Sequence, residues 1–337
     1  MVLLDIQHLQ TTFETRAGPV RAVNDVSLQV RRGETVALVG ESGSGKSVTG
    51  YSVLRLLPCG QGRITGGRIL FDGTDLVTLS DPAIKALRGN RISMIFQEPL
   101  SALNPVLSIG AQIVEAIRLH RPLSRSAAWS HAVDLLASVG IPAPARRVHD
   151  FPHQLSGGMR QRVVIAIALA CEPDLLIADE PTTALDVTTQ AQILDLLRTL
   201  QQERGMGMLL ITHDLGVVAD IADRAAVMYA GRVVEQGPAT VLFDAPAHPY
   251  TEGLLQALSF DERPPGARLP EIPGSVPSLH EMPDGCAFAP RCAHARAGCA
   301  ERPPALQPFA EPSHRVACMH PRLPSAWRGA ADGALAA

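Results

Sequence analysis

Two stretches near the start of the chain, LDIQHLQTTF and VRAVNDVSLQV, alternate apolar and polar residues, the period of half-buried antiparallel strands. The texture then changes. ETVALVG (34–40) is a short apolar run entering a glycine-rich turn, which predicts a buried strand feeding a helix over 46–57. GGRILFDG (66–73) and RISMIFQ (91–97) predict two more strands. From 108 to 140 the spacing turns helical, as in IGAQIVEAIRLH and AAWSHAVDLLASVG. SGGMRQRVVIAIALACEP opens a further helix that closes at Pro173. Its apolar run, 163–171, is half the roughly eighteen residues a membrane span needs, so it predicts a buried helix. DLLIADEP and MGMLLITHD predict core strands, and between them TTQAQILDLLRTLQQERG predicts an amphipathic helix with Gly205 as its C-cap. Buried strands alternating with helices imply an α/β fold built on a mainly parallel sheet.

Past 258 the pattern fades into SFDERPPGARLPEIPGSVPSLHEMPDG, rich in proline and without periodicity. This sets an expected boundary: a domain over 1–258, a proline-rich C-terminal domain over 259–325, and a disordered tail over 326–337. With 46% hydrophobic residues the chain can build a core, and its net charge of −3 shows no whole-chain excess of basic residues of the kind that binds nucleic acid. The only lysines are Lys46 and Lys85. The start, MVLLDIQHLQ, has an early Asp5 and no basic segment, unlike a secretory signal. The expectation is a soluble chain in a reducing compartment, where clustered cysteines point to metal or redox chemistry before disulfides.

GESGSGKS (40–47) fits the pattern G-x-x-x-x-G-K-[ST] between a predicted strand and a predicted helix, the context that motif requires. Over Gly40, Ser42, Gly43, Ser44 and Gly45 the backbone N–H groups can curl around phosphate oxygens, and the helix N-terminus adds positive potential. Lys46 can neutralise the β- and γ-phosphates, and the Ser47 hydroxyl can hold Mg²⁺. LLIADEP supplies a hydrophobic strand ending in Asp179 and Glu180. Asp179 is placed to orient Mg²⁺, and Glu180 is the candidate base for the attacking water.

A phosphate loop alone leaves kinase, GTPase, helicase and motor open; LSGGMRQR (155–162) narrows the class. Ser156, Gly157 and Gly158 open a helix, so hydroxyl, N–H groups and dipole all address an anion. This stretch resembles the signature sequence of ATP-binding cassette (ABC) ATPases, and it precedes DLLIADEPTTALD by the spacing that family uses. The resemblance implies an ABC-type P-loop fold with a mixed-sheet core, an antiparallel β subdomain and a helical signature subdomain at about 98–170. It implies that Ser156, Gly157 and Gly158 meet the γ-phosphate bound to another subunit, and that Asp186 contacts that subunit. Gln97 would sense Mg²⁺ and the attacking water, His213 would reach the γ-phosphate, and Phe13 would stack on adenine. Val48 would complete the ATP-binding loop.

Longer stretches, GESGSGKSV, MIFQEPLSALNP, FPHQLSGGMRQRVVIAIALACEPDLLIADEPTTALDV and HPYTEGLL, resemble the ATPase subunits of dipeptide and oligopeptide importers, a group that includes nickel and glutathione importers. Val48 resembles the first, D-type, of the two non-identical ATPases in such systems. The resemblance implies a second, related ATPase as partner, two membrane permeases, an extracytoplasmic solute-binding protein, and a peripheral place on the cytoplasmic face of the membrane. The reading from another class is a soluble ABC ATPase acting on nucleoprotein. The six arginines against two glutamates in 286–328 fit that reading or simple compensation of thiolates. With neither a second cassette nor a heptad run, the transport reading leads and no nucleic acid is expected.

Four of the six cysteines fall in 286–318, spaced Cys286-x5-Cys292-x6-Cys299-x18-Cys318. Structural zinc commonly uses close pairs, absent here, whereas iron–sulfur clusters take four thiolates at more varied spacing. Relatives with this C-terminal pattern are associated with a [4Fe–4S] cluster, so the resemblance implies one, with Zn²⁺ as the alternative. His294, His314 and His320 are possible substitutes for one ligand. Cys59 and Cys171 read as ordinary small buried residues.

Overall fold

A computed structural model describes residues 1–183, 185–258 and 271–322. The expected antiparallel strands are present as the hairpin of β1 (Val2–Thr15) and β2 (Gly18–Arg31), extended by β4 (Gly62–Phe71) and β5 (Thr74–Asp75) into an antiparallel sheet of order β2-β1-β4-β5. Its alternation buries Leu4, Ile6, Val26, Leu28 and Ile69 on one face. They join one core with β3 (Thr35–Val39).

The second sheet adds β6 (Ile92–Ile95), β7 (Leu175–Asp179), β8 (Gly207–Thr212), β9 (Arg224–Tyr229), β10 (Arg232–Pro238), β11 (Gln307–Phe309) and β12 (Glu311–Val316), in the order β11-β12-β10-β9-β3-β8-β7-β6. The strands from β6 to β9 run parallel, and β10, β12 and β11 are antiparallel additions. Every residue of β3, β7 and β8 is buried, as a parallel sheet covered on both faces requires. Fully burying a leucine or isoleucine here contributes roughly 1.5–3 kcal/mol. The register puts Val39 beside Thr212, Ile211 beside Asp179, and Ala178 beside Ile95. The carboxyl ends of four strands therefore open on one edge, where ligands of such sheets bind.

Helix α1 (Lys46–Val53) starts at this edge, and Ile84 of α2 (Asp81–Leu87) packs into the core shared with the β subdomain. The expected helical region holds α3 (Pro99–Ala102), α4 (Ile109–His120), α5 (Arg125–Ser138), α6 (Pro144–Arg147) and α7 (Gly157–Ala168). Ser108 and Ser124 start α4 and α5 by accepting N–H bonds from Ala111 and Ala127, which satisfies one otherwise orphaned donor at each end. α8 (Val187–Arg204) ends at Gly205, whose φ of 61° is the expected left-handed cap. α9 (Leu215–Ile221), α10 (Ala239–Asp244) and α11 (Pro249–Leu258) complete the set. Among the described residues no helix is long and apolar enough to cross a membrane.

Three expectations need correction. Helix α7 ends at Ala168, with Leu169 as its C-cap, rather than at Pro173. Helix α1 stops at Val53 rather than 57, because Arg55 takes a positive φ of 52° and Leu56 N–H turns back to the Tyr51 carbonyl at 2.8 Å. Cys59 is exposed rather than buried, in the turn that follows; Cys171 is buried as expected.

The C-terminal stretch is the larger surprise. Residues 259–270 and 323–337, which contain the expected boundary and tail, lie outside the described residues. Between them, β12 joins the second sheet through β10, pairing Glu235 with Val316 and Gln236 with Arg315. The Glu235 carboxylate is fully buried. It accepts from the Ala247 and His248 backbone N–H groups at 2.7 and 3.0 Å and lies 2.7 Å from His314 Nε2. A wedge of Tyr229, Tyr250 and Phe288, with ring centroids 4.7 to 5.3 Å apart, fills the space between sheet, α11 and the cysteine segment.

Candidate functional site

The turn after β3 needs glycine at two points. Gly40 has φ 153° and Gly45 has φ 100°, and a Cβ at either would run into a backbone oxygen, of Met228 and of Ala22 respectively. The loop thus curls tightly into the N-terminus of α1. Lys46 at that terminus is buried, with Nζ donating to the Gly40 and Glu41 carbonyls at 2.7 and 2.9 Å. Burial lowers its pKa, against the pull of Glu180, Asp179 and Glu41. One position on, the Ser47 hydroxyl donates to Asp179 Oδ1 at 2.9 Å. Asp179 is fully buried at the end of β7, and its Oδ2 has no hydrogen-bond partner. Burial raises its pKa, the Ser47 bond opposes that, and Glu180 adds to it. A hydroxyl beside a buried carboxylate with one vacant oxygen is a donor set that suits Mg²⁺.

Glu180 follows with a positive φ of 46°, an uncommon conformation for a residue with a side chain. Its backbone N–H bonds to the Ile211 carbonyl at 2.8 Å, which holds it at the strand edge. Its Oε2 accepts from Gln97 Nε2 at 3.0 Å and Thr183 Oγ1 at 2.8 Å, and its Oε1 lies 3.1 Å from His213 Nδ1. Burial alone would raise its pKa; the bonds from Thr183 and His213, with the charges of His213 and Lys46, outweigh this and lower it. Gln97, Glu180 and His213, predicted from three separate strand ends, therefore meet. Thr183 was not singled out from the sequence.

The signature residues stand elsewhere. Ser156 caps α7 by accepting from Met159 N–H at 3.3 Å, and Ser156 and Gly157 are exposed. A Cβ on Gly158 would lie 2.6 Å from Thr189 Cγ2, so glycine there lets α7 approach the start of α8. Asp186 caps α8, accepting from Thr189 N–H at 2.9 Å and Thr189 Oγ1 at 2.7 Å, and these bonds lower its pKa. Phe13 sits half-buried near the end of β1, opposite Val20 and against Gly62. Val48 packs on the core from α1.

Cys286, Cys292, Cys299 and Cys318 line one small cavity together with His248 and His320. All four are free thiols. Among the described residues, however, no group of three or more His, Cys, Asp or Glu is arranged to hold a metal ion. Burial raises the pKa of Cys286, Cys292 and Cys318, the last to about 11. His314 is not available as a substitute, being held by Glu235. His248 is informative: its Nδ1 accepts from Tyr250 N–H at 3.1 Å. That bond puts the ring proton on Nε2, which is buried with no partner. Burial also drops its pKa to about 4, so the cavity wall carries a neutral N–H donor facing no protein acceptor.

Fold and constellation define a phosphate-loop nucleotide-binding cassette. The chain belongs to the ABC transporter family of ATP-binding proteins. The ABC transporter family matches residues 23–183, and the oligopeptide/dipeptide transporter C-terminal region matches 234–299. A putative peptide import ATP-binding protein of Brucella melitensis is 55% identical over 314 residues, covering 90% of this chain and 93% of its own. A probable peptide ABC transporter ATP-binding protein of Sinorhizobium fredii is 50% identical, covering 94% of each. Among solved structures, a dimeric ATP-binding cassette in a post-hydrolysis state bound to ADP and Pi aligns with a TM-score of 0.64 at 28% identity, over 70% of this chain and 99% of that one. A cassette from Clostridium perfringens, part of the ABC transporter complex cbiONQ, aligns with a TM-score of 0.62 at 29% identity, over 72% and 90%.

Proposed function

We infer that the protein is the ATP-hydrolysing subunit that powers import of di- and oligopeptides through separate membrane permeases, to which it binds peripherally at the cytoplasmic face. The observation that carries this is the convergence of Gln97, Glu180 and His213 beside the Ser47–Asp179 pair. The matched peptide-transporter region over 234–299 supports the solute class.

Lys46 exchanges the Gly40 and Glu41 carbonyls for β- and γ-phosphate oxygens. Ser47, Asp179 and Gln97 are the residues that would hold Mg²⁺, which neutralises phosphate charge when bound. Glu180, kept ionised by its neighbours, accepts a proton from water as the oxygen attacks the γ-phosphorus and ADP leaves. His213 orients Glu180 and meets the γ-phosphate, and Phe13 stacks on adenine. Ser156, Gly157, Gly158 and Asp186 serve an ATP bound mainly by a second, related ATPase subunit. The two subunits close on ATP and reopen after hydrolysis, driving the permeases that receive solute from an extracytoplasmic binding protein.

The four cysteines are the finer part of the reading. A [4Fe–4S] cluster held by Cys286, Cys292, Cys299 and Cys318 is supported by the shared cavity and by the unpartnered His248 Nε2–H, a donor suited to cluster or thiolate sulfur. It would staple a proline-rich domain that begins after 258.

Glu180→Gln tests the ATPase assignment. It is expected to retain ATP binding and lose hydrolysis by 100-fold or more, on the order of general-base contributions; retained turnover would place the base elsewhere. A deletion strain is expected to lose uptake of labelled di- and oligopeptides, and loss of nickel uptake alone would reassign the solute.

A further inference from the structure

Arg291 lies one residue before Cys292, in a short turn (Ala289–Arg291) of the cysteine segment. Its side chain is only 6% exposed. It donates to both carboxylate oxygens of Glu41, at 3.1 Å each, to the Tyr229 hydroxyl at 3.3 Å, and to the Pro273 and Ile272 carbonyls. Glu41 is the second residue of the phosphate loop. Its backbone N–H donates to the Tyr250 hydroxyl at 2.9 Å, and its carbonyl accepts from Lys46. One loop residue is thus gripped at its side chain by the cysteine segment and at its backbone by α11, while its carbonyl holds the phosphate-binding lysine.

The grip connects directly to the thiols. The turn that carries Arg291 is closed by Ala289 N–H to the Cys286 carbonyl and Cys292 N–H to the Ala289 carbonyl, and Cys286 N–H bonds to the Cys299 carbonyl. Whatever orders these cysteines orders Arg291. A buried arginine with a paired carboxylate is costly to break from one side, so the pair transmits position rather than merely tolerating it.

We propose that Arg291 is a positioning residue for the phosphate loop, through which the folded state of the four-cysteine segment and the affinity for ATP are coupled. This rests on the phosphate loop being the ATP site. Because coupling free energies are reciprocal, ATP must also protect the cysteines. When the segment is ordered, Glu41 is held and the loop is preformed. When the segment unfolds, Arg291 is released and the loop must be ordered at the expense of ATP binding.

The test uses the full chain with a fluorescent ATP analogue and thiol alkylation followed by mass spectrometry. Arg291→Ala is expected to weaken nucleotide binding about fivefold or more, the lower end of typical couplings, with the loss in KM for ATP rather than kcat. Glu41→Gln should weaken binding similarly, the double variant should be no worse than either single one, and Arg291→Lys should restore part of the loss. ATP should slow alkylation of Cys286, Cys292, Cys299 and Cys318 in the wild type but not in Arg291→Ala. If Arg291→Ala does not fold, Arg291→Lys and Glu41→Gln still report both readouts. Unchanged affinity, or thiol protection that persists without the pair, overturns the coupling. Absence of nucleotide binding in the wild type would instead overturn the ATPase reading.

Discussion

Glu180 shows how one side chain is held in a working state by its contacts. It sits at a strand end where burial favours the neutral acid, yet hydrogen bonds favour the anion and win. A carboxylate with a lowered pKa stays ionised until the pH falls below the ordinary glutamate range. Hydrolysis is therefore expected to keep its acid limb low. Thr183→Val removes the 2.8 Å hydroxyl donor to Oε2 and leaves Gln97 and His213 in place. Losing a bond to the charged form raises the pKa, so the acid limb of kcat should move to higher pH. The measurement is kcat against pH at saturating Mg-ATP; an unmoved limb would mean that Glu180 is not the group whose titration limits turnover. Thr183 itself gave no signal in the sequence, because a threonine three residues past a carboxylate is common.

The elements themselves were legible in proportion to how completely they are buried. β3, β7 and β8 are continuous apolar runs and were read correctly, as were the hairpin of alternating residues and the Gly205 stop of α8. β11 and β12 were invisible, since QPF and EPSHRV carry prolines and charge and sit at a sheet edge where neither face is fully covered. β12 is held by specific polar contacts, above all Glu235. Glu235→Ala would leave the His314 ring and two backbone N–H groups buried without their acceptor, each costing about 1–3 kcal/mol. The expected loss is about 3 kcal/mol or more in urea unfolding, with Glu235→Gln milder because it keeps one acceptor oxygen. A change within about 0.5 kcal/mol, the level of an ordinary surface substitution, would show that the C-terminal strands do not depend on it. Arg291 was missed for a related reason: its partner Glu41 is 250 positions away, and no local pattern announces such a pair.

At the scale of the whole molecule, the N-terminal ends of α1 and α7 are the informative pair. α1 begins at the phosphate loop beside Asp179 and Glu180, whereas α7 begins at the exposed Ser156 and Gly157, on the helical part of the fold. Each chain thus carries both a phosphate loop and a second helix N-terminus suited to phosphate, and in the proposed head-to-tail pair each chain would complete the other's site. Ser156→Arg should leave ATP binding to its own phosphate loop intact and abolish hydrolysis at the partner's. Choice of partner then becomes measurable by mixing. Lys46→Ala and Ser156→Arg versions of this chain, each inactive alone, would share one intact composite site if the chain pairs with itself. Pairing with a different ATPase predicts no recovery on mixing them, and an ATP-dependent rise in mass by light scattering when Glu180→Gln of this chain meets the second subunit. Recovery of hydrolysis in the self-mixture would establish the homodimer instead.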